Sequence, residues 1–401
     1  MINGHIHPGI AEATRLTQQG RLDEATAAIQ RSLGGAFAPA AQEDTRDTDE
    51  PIEMISQLVR EAPLGPAGGP RTADRRPGTT AWTTPGPTLL TRGVQPISRT
   101  KSGKLVSVPE GGRFVERSYT NSAGTRSYKL YIPSGYTGQA VPLIVMLHGC
   151  TQSPDDFAMG TRMNELSEEH TFLVAYPAQA GNANMQKCWN WFRAADQQRG
   201  RGEPSLIAGI TRQVVEEYEV AEDRVYVAGM SAGGAMAAIM GATYPDLYAA
   251  IGVHSGLAPG SANDMSSAFT AMRQGGPVVA SRRAANGEST EIVPTIVFHG
   301  DRDTTVHPRN GERMLAHLDI AGGQNGSSPR VRTRQGQVPG GYGYTRFTYR
   351  DSEGRDLVER WSVHGLGHAW SGGSYPGSYT DPRGPDASAE MVRFFGQHHR
   401  R

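Results

Sequence analysis

The sequence predicts an α/β fold, a mostly parallel sheet covered by helices on both faces. Three observations predict it. From about Gly112, short apolar runs alternate with longer stretches of helical periodicity. One of these runs, Val225-Tyr226-Val227-Ala228, leads directly into Gly229-Met230-Ser231-Ala232-Gly233 and then into an Ala/Gly-rich helix. Two later runs end in segments rich in carboxylate, histidine and glycine, and chemistry on such sheets gathers at the carboxyl ends of the strands.

The candidate strands are 126–132, 142–147, 171–176, 224–228, 249–253, 294–298 and 357–363. The candidate helices are 159–170, 205–218, 232–243, 309–320 and a last one at 388–397 that would bury Met391, Phe394 and Phe395. Between Ala249 and Val293 there are few signals apart from a short helical stretch at 265–273. That region is expected to form a flexible cap. No repeat with a period of 20 to 50 residues is visible.

The part of the chain before this domain has a different character. Ile10, Ala13 and Leu16, then Leu22, Ala25, Ile29 and Leu33, fall at helical spacing around Gly20, so residues 1–33 are expected to hold a helical hairpin. One hairpin cannot bury a core of its own. Docking on the main domain, self-association and binding of a partner all remain open for it. Residues 34–110 are rich in Pro, Gly, Ala and Thr and read as a disordered linker, leaving 111–401 as the folded α/β domain.

Composition excludes several classes. Lysine plus arginine and aspartate plus glutamate number 40 each, which leaves no charge excess for a nucleic acid. No apolar run reaches the roughly 18 residues of a membrane span. The first residues lack a basic stretch followed by an apolar one, so the default expectation is a cytoplasmic protein without a secretory signal. The two cysteines, Cys150 and Cys188, sit in no Cys/His cluster, so neither a zinc site nor any other metal is expected. By spacing alone they are either two thiols or one disulfide.

The chemistry centres on Ser231. A strand–turn–helix with glycines around a serine forms a nucleophile elbow, whose strained turn requires small neighbours so that strand and helix can approach. The bland alternative is a phosphate-cradling turn, but no Gly-Lys-Ser/Thr follows. An elbow serine needs a later acid and then a later base, the chain order of the α/β-hydrolase fold. Asp303, just past the run Ile296-Val297-Phe298, is the preferred acid. Asp301 follows the strand too closely and is expected to shape the turn. His368, on the Gly-rich segment after the last strand, is preferred as base over His364 and His307. The run Leu143–Leu147 ends in His148-Gly149-Cys150, where backbone N–H groups of Cys150 and Ala232 would form an oxyanion hole. His148 itself is expected to pin that loop.

These segments resemble the polyhydroxybutyrate depolymerase family of esterases, which includes feruloyl and acetylxylan esterases. The resemblance rests on Leu147-His148-Gly149-Cys150-Thr151-Gln152, Cys188-Trp189-Asn190-Trp191-Phe192, Gly229–Gly234, His299-Gly300-Asp301-Arg302-Asp303 and Gly365-Leu366-Gly367-His368-Ala369-Trp370-Ser371-Gly372-Gly373. It spans roughly residues 118–395. It implies an α/β-hydrolase that cleaves carboxylic esters without metal or organic cofactor, with Ser231, Asp303 and His368 as triad. It also implies a Cys150–Cys188 disulfide, and with it an oxidising, extracellular setting that opposes the cytoplasmic default. Trp189 and Trp191 are implied near the site, where at least one would line the substrate pocket. Secreted polymer depolymerases of the family usually carry a further substrate-binding domain, whereas only about 33 residues follow His368. Short hydroxyalkanoate oligomers or similar esters are therefore expected as substrates, with feruloyl or acetylxylan esters as the alternative. A non-catalytic binding protein on the same fold is the reading from another class.

Overall fold

The computed structural model describes residues 108–277, 292–318, 330–351 and 353–400. The expected hairpin and nearly all of the expected linker lie outside these residues. The described part is built on a ten-stranded sheet. In chain order the elements begin with β1 (Arg113–Asn121), β2 (Gly124–Ile132) and β3 (Val141–Leu147), then α1 (Pro154–Thr161), α2 (Met163–His170), β4 (Leu173–Pro177), α3 (Gly202–Glu217), β5 (Val220–Met230) and α4 (Ala232–Thr243). There follow β6 (Ala250–His254), α5 (Met265–Gln274), β7 (Thr295–Gly300), α6 (Arg309–His317), β8 (Arg330–Gln337), β9 (Gly343–Arg350) and β10 (Asp356–Val363). The two-residue strands β11 (Trp370–Ser371) and β12 (Thr380–Asp381) and the helix α7 (Ala387–Phe395) complete the series.

The strand order is β1-β2-β4-β3-β5-β6-β7-β10-β9-β8. The centre of the sheet, β4-β3-β5-β6-β7-β10, is parallel throughout. Both edges are antiparallel hairpins, β1–β2 on one side and β8–β9 on the other. This is the mostly parallel α/β sheet expected.

Alternating side chains divide the core in two. Leu143, Val145, Leu147, Val225, Val227, Ile251, Val253 and Val297 pack with α3 and α4 on one face. Ile144, Met146, Val174, Tyr226, Ala228, Ile296 and Phe298 pack with α1, α2 and α7 on the other. At about 25 cal/mol per Å² of buried apolar surface, two such covered faces are the main stabilising term. The last helix is anchored as expected, with Met391, Phe394 and Phe395 all buried.

Three differences from the expected elements have physical causes. The single helix expected at 159–170 is two helices, broken at Arg162, which takes a left-handed conformation (φ 55°). Ser153 caps the first of them by accepting from the Asp156 N–H, and Pro154 opens it. Strands β1, β8 and β9 were not anticipated. As edge hairpins they are largely half-exposed or exposed and show no apolar run. The stretch after β6, expected as a cap, enters the core at Leu257, Ala258 and Ala262, while residues 278–291 lie outside the described part.

Candidate active site

Four adjacent parallel strands, β5, β6, β7 and β10, bring the candidate residues together at their carboxyl ends, Met230 and His254 lying level with Phe298 and Trp361, two residues short of the ends of β7 and β10. Strand β5 runs to Met230, and Ser231 turns the chain into α4 with φ 55° and ψ −120°. Few L-residues tolerate that region, and a side chain held there is pushed clear of the backbone. The Ser231 N–H is held by the carbonyl of His254 at 2.9 Å. The glycines earn their places sterically: a Cβ on Gly229 would collide with the Gly233 carbonyl, and one on Gly233 with the Leu147 carbonyl. Strand, elbow and helix can close together only because both positions lack a side chain.

Asp303 lies on the turn after β7 and is buried. Its Oδ1 accepts the backbone N–H groups of Thr305 (2.9 Å) and Val306 (2.8 Å). Its Oδ2 lies 2.7 Å from His368 Nδ1. Burial alone would raise this carboxyl, but hydrogen bonds from His299 and His368 hold it well below the usual carboxylate range. It is an ionised acceptor, so Nδ1 of His368 is the donor and Nε2 is left as the basic nitrogen.

His368 stands on the loop after β10. That loop is laid over the end of β7, since a Cβ on Gly300 would collide with the Leu366 carbonyl. Asp301 secures the same loop, accepting from Gly365 N–H at 2.8 Å and meeting His364 Nδ1 at 3.0 Å. It shapes the turn, as its position after the strand suggested. His364 is therefore engaged by Asp301, and His307 is exposed, its Nδ1 accepting from Arg309 N–H.

The loop after β3 lies beside the elbow: a Cβ on Gly149 would sit 3.6 Å from Ser231 Cβ. His148 pins this loop. Its Nε2 accepts from Gln179 N–H (3.0 Å), so its Nδ1 donates to the Gly149 carbonyl (2.7 Å). Burial pushes its pKa down to about 4, which keeps the ring neutral. Gly149 N–H is taken by Gln152 Oε1 and Thr151 N–H by the Gln186 carbonyl. The N–H groups of Cys150 and Ala232 have no acceptor among the described residues. Two unspent donors flanking a serine are what a developing oxyanion requires.

Cys150 and Cys188 form a disulfide. It ties the donor-bearing loop to the segment that carries Trp189. With a sequence separation of 38, the chain-entropy estimate is about 4 kcal/mol. The double replacement Cys150→Ser/Cys188→Ser is expected to lower the urea midpoint correspondingly. An unchanged midpoint would show that the bridge carries no stability.

Trp189 and Trp191 are not brought to an open surface. Trp189 is wholly buried with its indole N–H on the His148 carbonyl (3.1 Å), and Trp191 packs edge-on against Phe192 in the core. Trp189 supports the loop after β3 from behind, and Trp191 keeps only a small exposed fraction. The reason is that the Cys188–Phe192 segment is drawn inward by Glu203, which accepts from the Asn190 backbone and side chain.

Sequence reasoning missed three residues. Gln152 holds Gly149 N–H through Oε1 and the Ser378 carbonyl through Nε2 (3.1 Å). His299 donates to the Val306 carbonyl at 2.7 Å and lies 3.5 Å from Asp303 Oδ2. His254 closes β6 beside the elbow. Gln152 and His299 fell within the resembling segments and could have been marked there. His254 had no such signal.

Residues 126–331 match the family model described as Esterase PHB depolymerase. The chain is 33% identical over 255 residues to a poly(3-hydroxyalkanoate) depolymerase C of Paucimonas lemoignei, covering 62% of this chain and 59% of that protein. It is 27% identical over 246 residues to a probable acetylxylan esterase A of Neosartorya fischeri, covering 58% and 64%. To a feruloyl esterase B of Neurospora crassa it is 29% identical over 291 residues, covering 69% and 89%. The chain thus spans less than two thirds of the length of the first two. Among solved structures, an acetyl xylan esterase from Aspergillus awamori superposes with a TM-score of 0.53 at 21% identity, over 71% of this chain and 99% of that one, which shows the shared fold.

Proposed function

Since the chain belongs to the PHB depolymerase family of esterases, we propose that it hydrolyses carboxylic esters through an acyl-enzyme on Ser231, acting on short hydroxyalkanoate oligomers or similar esters. The observation that carries this reading is the 2.7 Å contact between His368 Nδ1 and a buried, ionised Asp303, on strand ends neighbouring the Ser231 elbow.

The chemistry follows from those atoms. His368 Nε2 takes the proton from Ser231 Oγ as the oxygen attacks the ester carbonyl. The negative oxygen that develops is held by the N–H groups of Cys150 and Ala232, each such donor being worth about 3 kcal/mol in a transition state. The imidazolium, stabilised by Asp303, returns its proton to the departing alcohol. Water then enters, gives a proton to His368 and attacks the acyl carbon; His368 returns that proton to Ser231 Oγ as the acid leaves.

The first relative above, named a polyhydroxyalkanoate depolymerase, supports the hydroxyalkanoate reading. A second reading, feruloyl or acetylxylan ester hydrolysis, is favoured by one observation: the match to the feruloyl esterase covers 89% of that protein, against 59% of the depolymerase. A panel of 3-hydroxybutyrate oligomers, methyl ferulate and acetylated xylan separates them. The oligomers are expected to give a kcat/KM at least tenfold above the others. Exclusive turnover of ferulate or of acetylxylan would reject the hydroxyalkanoate substrate. Absence of any turnover, and of covalent labelling by a fluorophosphonate, would favour a binding protein.

A further inference from the structure

We infer that His254 is a positioning residue that sets the placement of His368 against Ser231, an inference that rests on the proposed roles of those two residues. His254 closes β6, the strand between the nucleophile's strand and the acid's. It is wholly buried, and two of its polar bonds tie pieces of the site together. Its backbone carbonyl accepts the Ser231 N–H at 2.9 Å. Its ring Nε2 accepts the backbone N–H of Ser371, three residues past His368, at 3.0 Å.

The direction of that second bond defines the tautomer. A backbone amide can only donate, so Nε2 is unprotonated and Nδ1 carries the proton toward Ser255 Oγ at 3.2 Å. Burial, with the nearby His299 and His368 in the same direction, pushes the His254 pKa down to about 3, so the acceptor is retained at any working pH.

The ring is also stacked. Trp370, two residues past His368, lies at 4.9 Å and 23°, and Phe298, five residues before Asp303, at 5.8 Å and 8°. One side chain therefore touches the base's loop twice and the acid's strand once, while its own backbone holds the nucleophile. No other described residue joins the Ser231 amide to the His368 loop in this way. Ser371 is wholly buried, so without the ring nitrogen its N–H has no water to turn to. The loop must then shift to find an acceptor, and a displacement of about 1 Å at a reacting group can cost about 100-fold in rate.

The test compares His254→Gln with His254→Asn. Both remove the stacked ring; the glutamine amide oxygen reaches the position of Nε2, and the asparagine oxygen falls short of it. His254→Phe adds the converse case, a stacking ring with no acceptor. Measured with p-nitrophenyl butyrate, the Asn and Phe variants are expected to lose about 10- to 100-fold in kcat with KM within about twofold, the rate of fluorophosphonate labelling falling in parallel. The Gln variant is expected to recover most of that loss. A Gln variant no better than Asn, or a folded Phe variant with wild-type kcat, would overturn the inference. Should the Phe variant not fold, the Gln and Asn pair still decides. Ser231→Ala run alongside separates this from the underlying reading: if it retains full turnover, the proposed nucleophile has failed, whatever the His254 variants do.

Discussion

Ser231→Ala is expected to lower kcat for any ester substrate by about 10⁶-fold, the largest effect available in this molecule. The reason is that base, acid and amide donors act on an oxygen that the variant lacks. Removing the nucleophile therefore removes nearly the whole benefit of the other groups together, rather than one share of it. Folding should be little affected. Serine and alanine meet the same backbone strain at φ 55°, and the bond that holds the elbow runs from the residue 231 N–H, which both possess. A melting point within a few degrees of wild type, with turnover reduced to background, is the expected pair of measurements. Substantial residual turnover in a homogeneous, folded variant would remove Ser231 from the mechanism.

Asp303→Asn should have the next largest effect, a fall of about 10⁴-fold in kcat at neutral pH. The surroundings of the side chain dictate how the amide must sit. On one side Thr305 and Val306 both present backbone N–H groups, so the amide oxygen has to stay there. The amide NH₂ is then turned toward His368 Nδ1, where a donor meets a donor. The imidazole resolves the conflict by carrying its proton on Nε2 instead, and in that tautomer it cannot take a proton from Ser231. KM is expected to change little, because the side chain at 303 is not proposed to touch the substrate.

The same substitution has a pH signature in stability. The Asp303 carboxyl is held below its unfolded value of about 3.9. Its charge therefore stabilises the folded chain fully above that range, and this contribution is lost as the pH falls through it. The difference in stability between wild type and the Asn variant should be constant above about pH 5 and should shrink in more acid solution. A difference that grew on acidification would contradict an ionised Asp303.

Much of the architecture is legible in the chain because parallel strands covered on both faces must be apolar nearly throughout. Val141–Leu147, Val225–Met230 and Thr295–Gly300 are such runs, and each can be found without a partner in view. The edge hairpins could not be found in this way. Arg330–Gln337 is held by its pairing with Gly343–Arg350, and nothing in its own composition demands a strand. The break at Arg162 was equally hidden. Thr161 and Arg162 are compatible with one continuous helix, and it is the contacts of Arg162 with Asp386, far along the chain, that accompany the turn.

Within the site the division follows the same line. The candidates Ser231, Asp303 and His368 were marked by local constraints: glycines where a turn must be tight, a carboxylate past a strand end, and a histidine in a Gly-rich loop. The burial of Trp189 and Trp191 and the bonds of Gln152 and His254 were decided only by tertiary structure. Their partners include backbone carbonyls and amides 41, 117 and 226 residues away, His148 for Trp189, Ser371 for His254 and Ser378 for Gln152. Every residue has a backbone amide and carbonyl, so a side chain that bonds to one leaves no trace in the partner's identity. The sequence by itself therefore determined which side chains are candidates for the chemistry, and the packing of the chain decided what holds them in place.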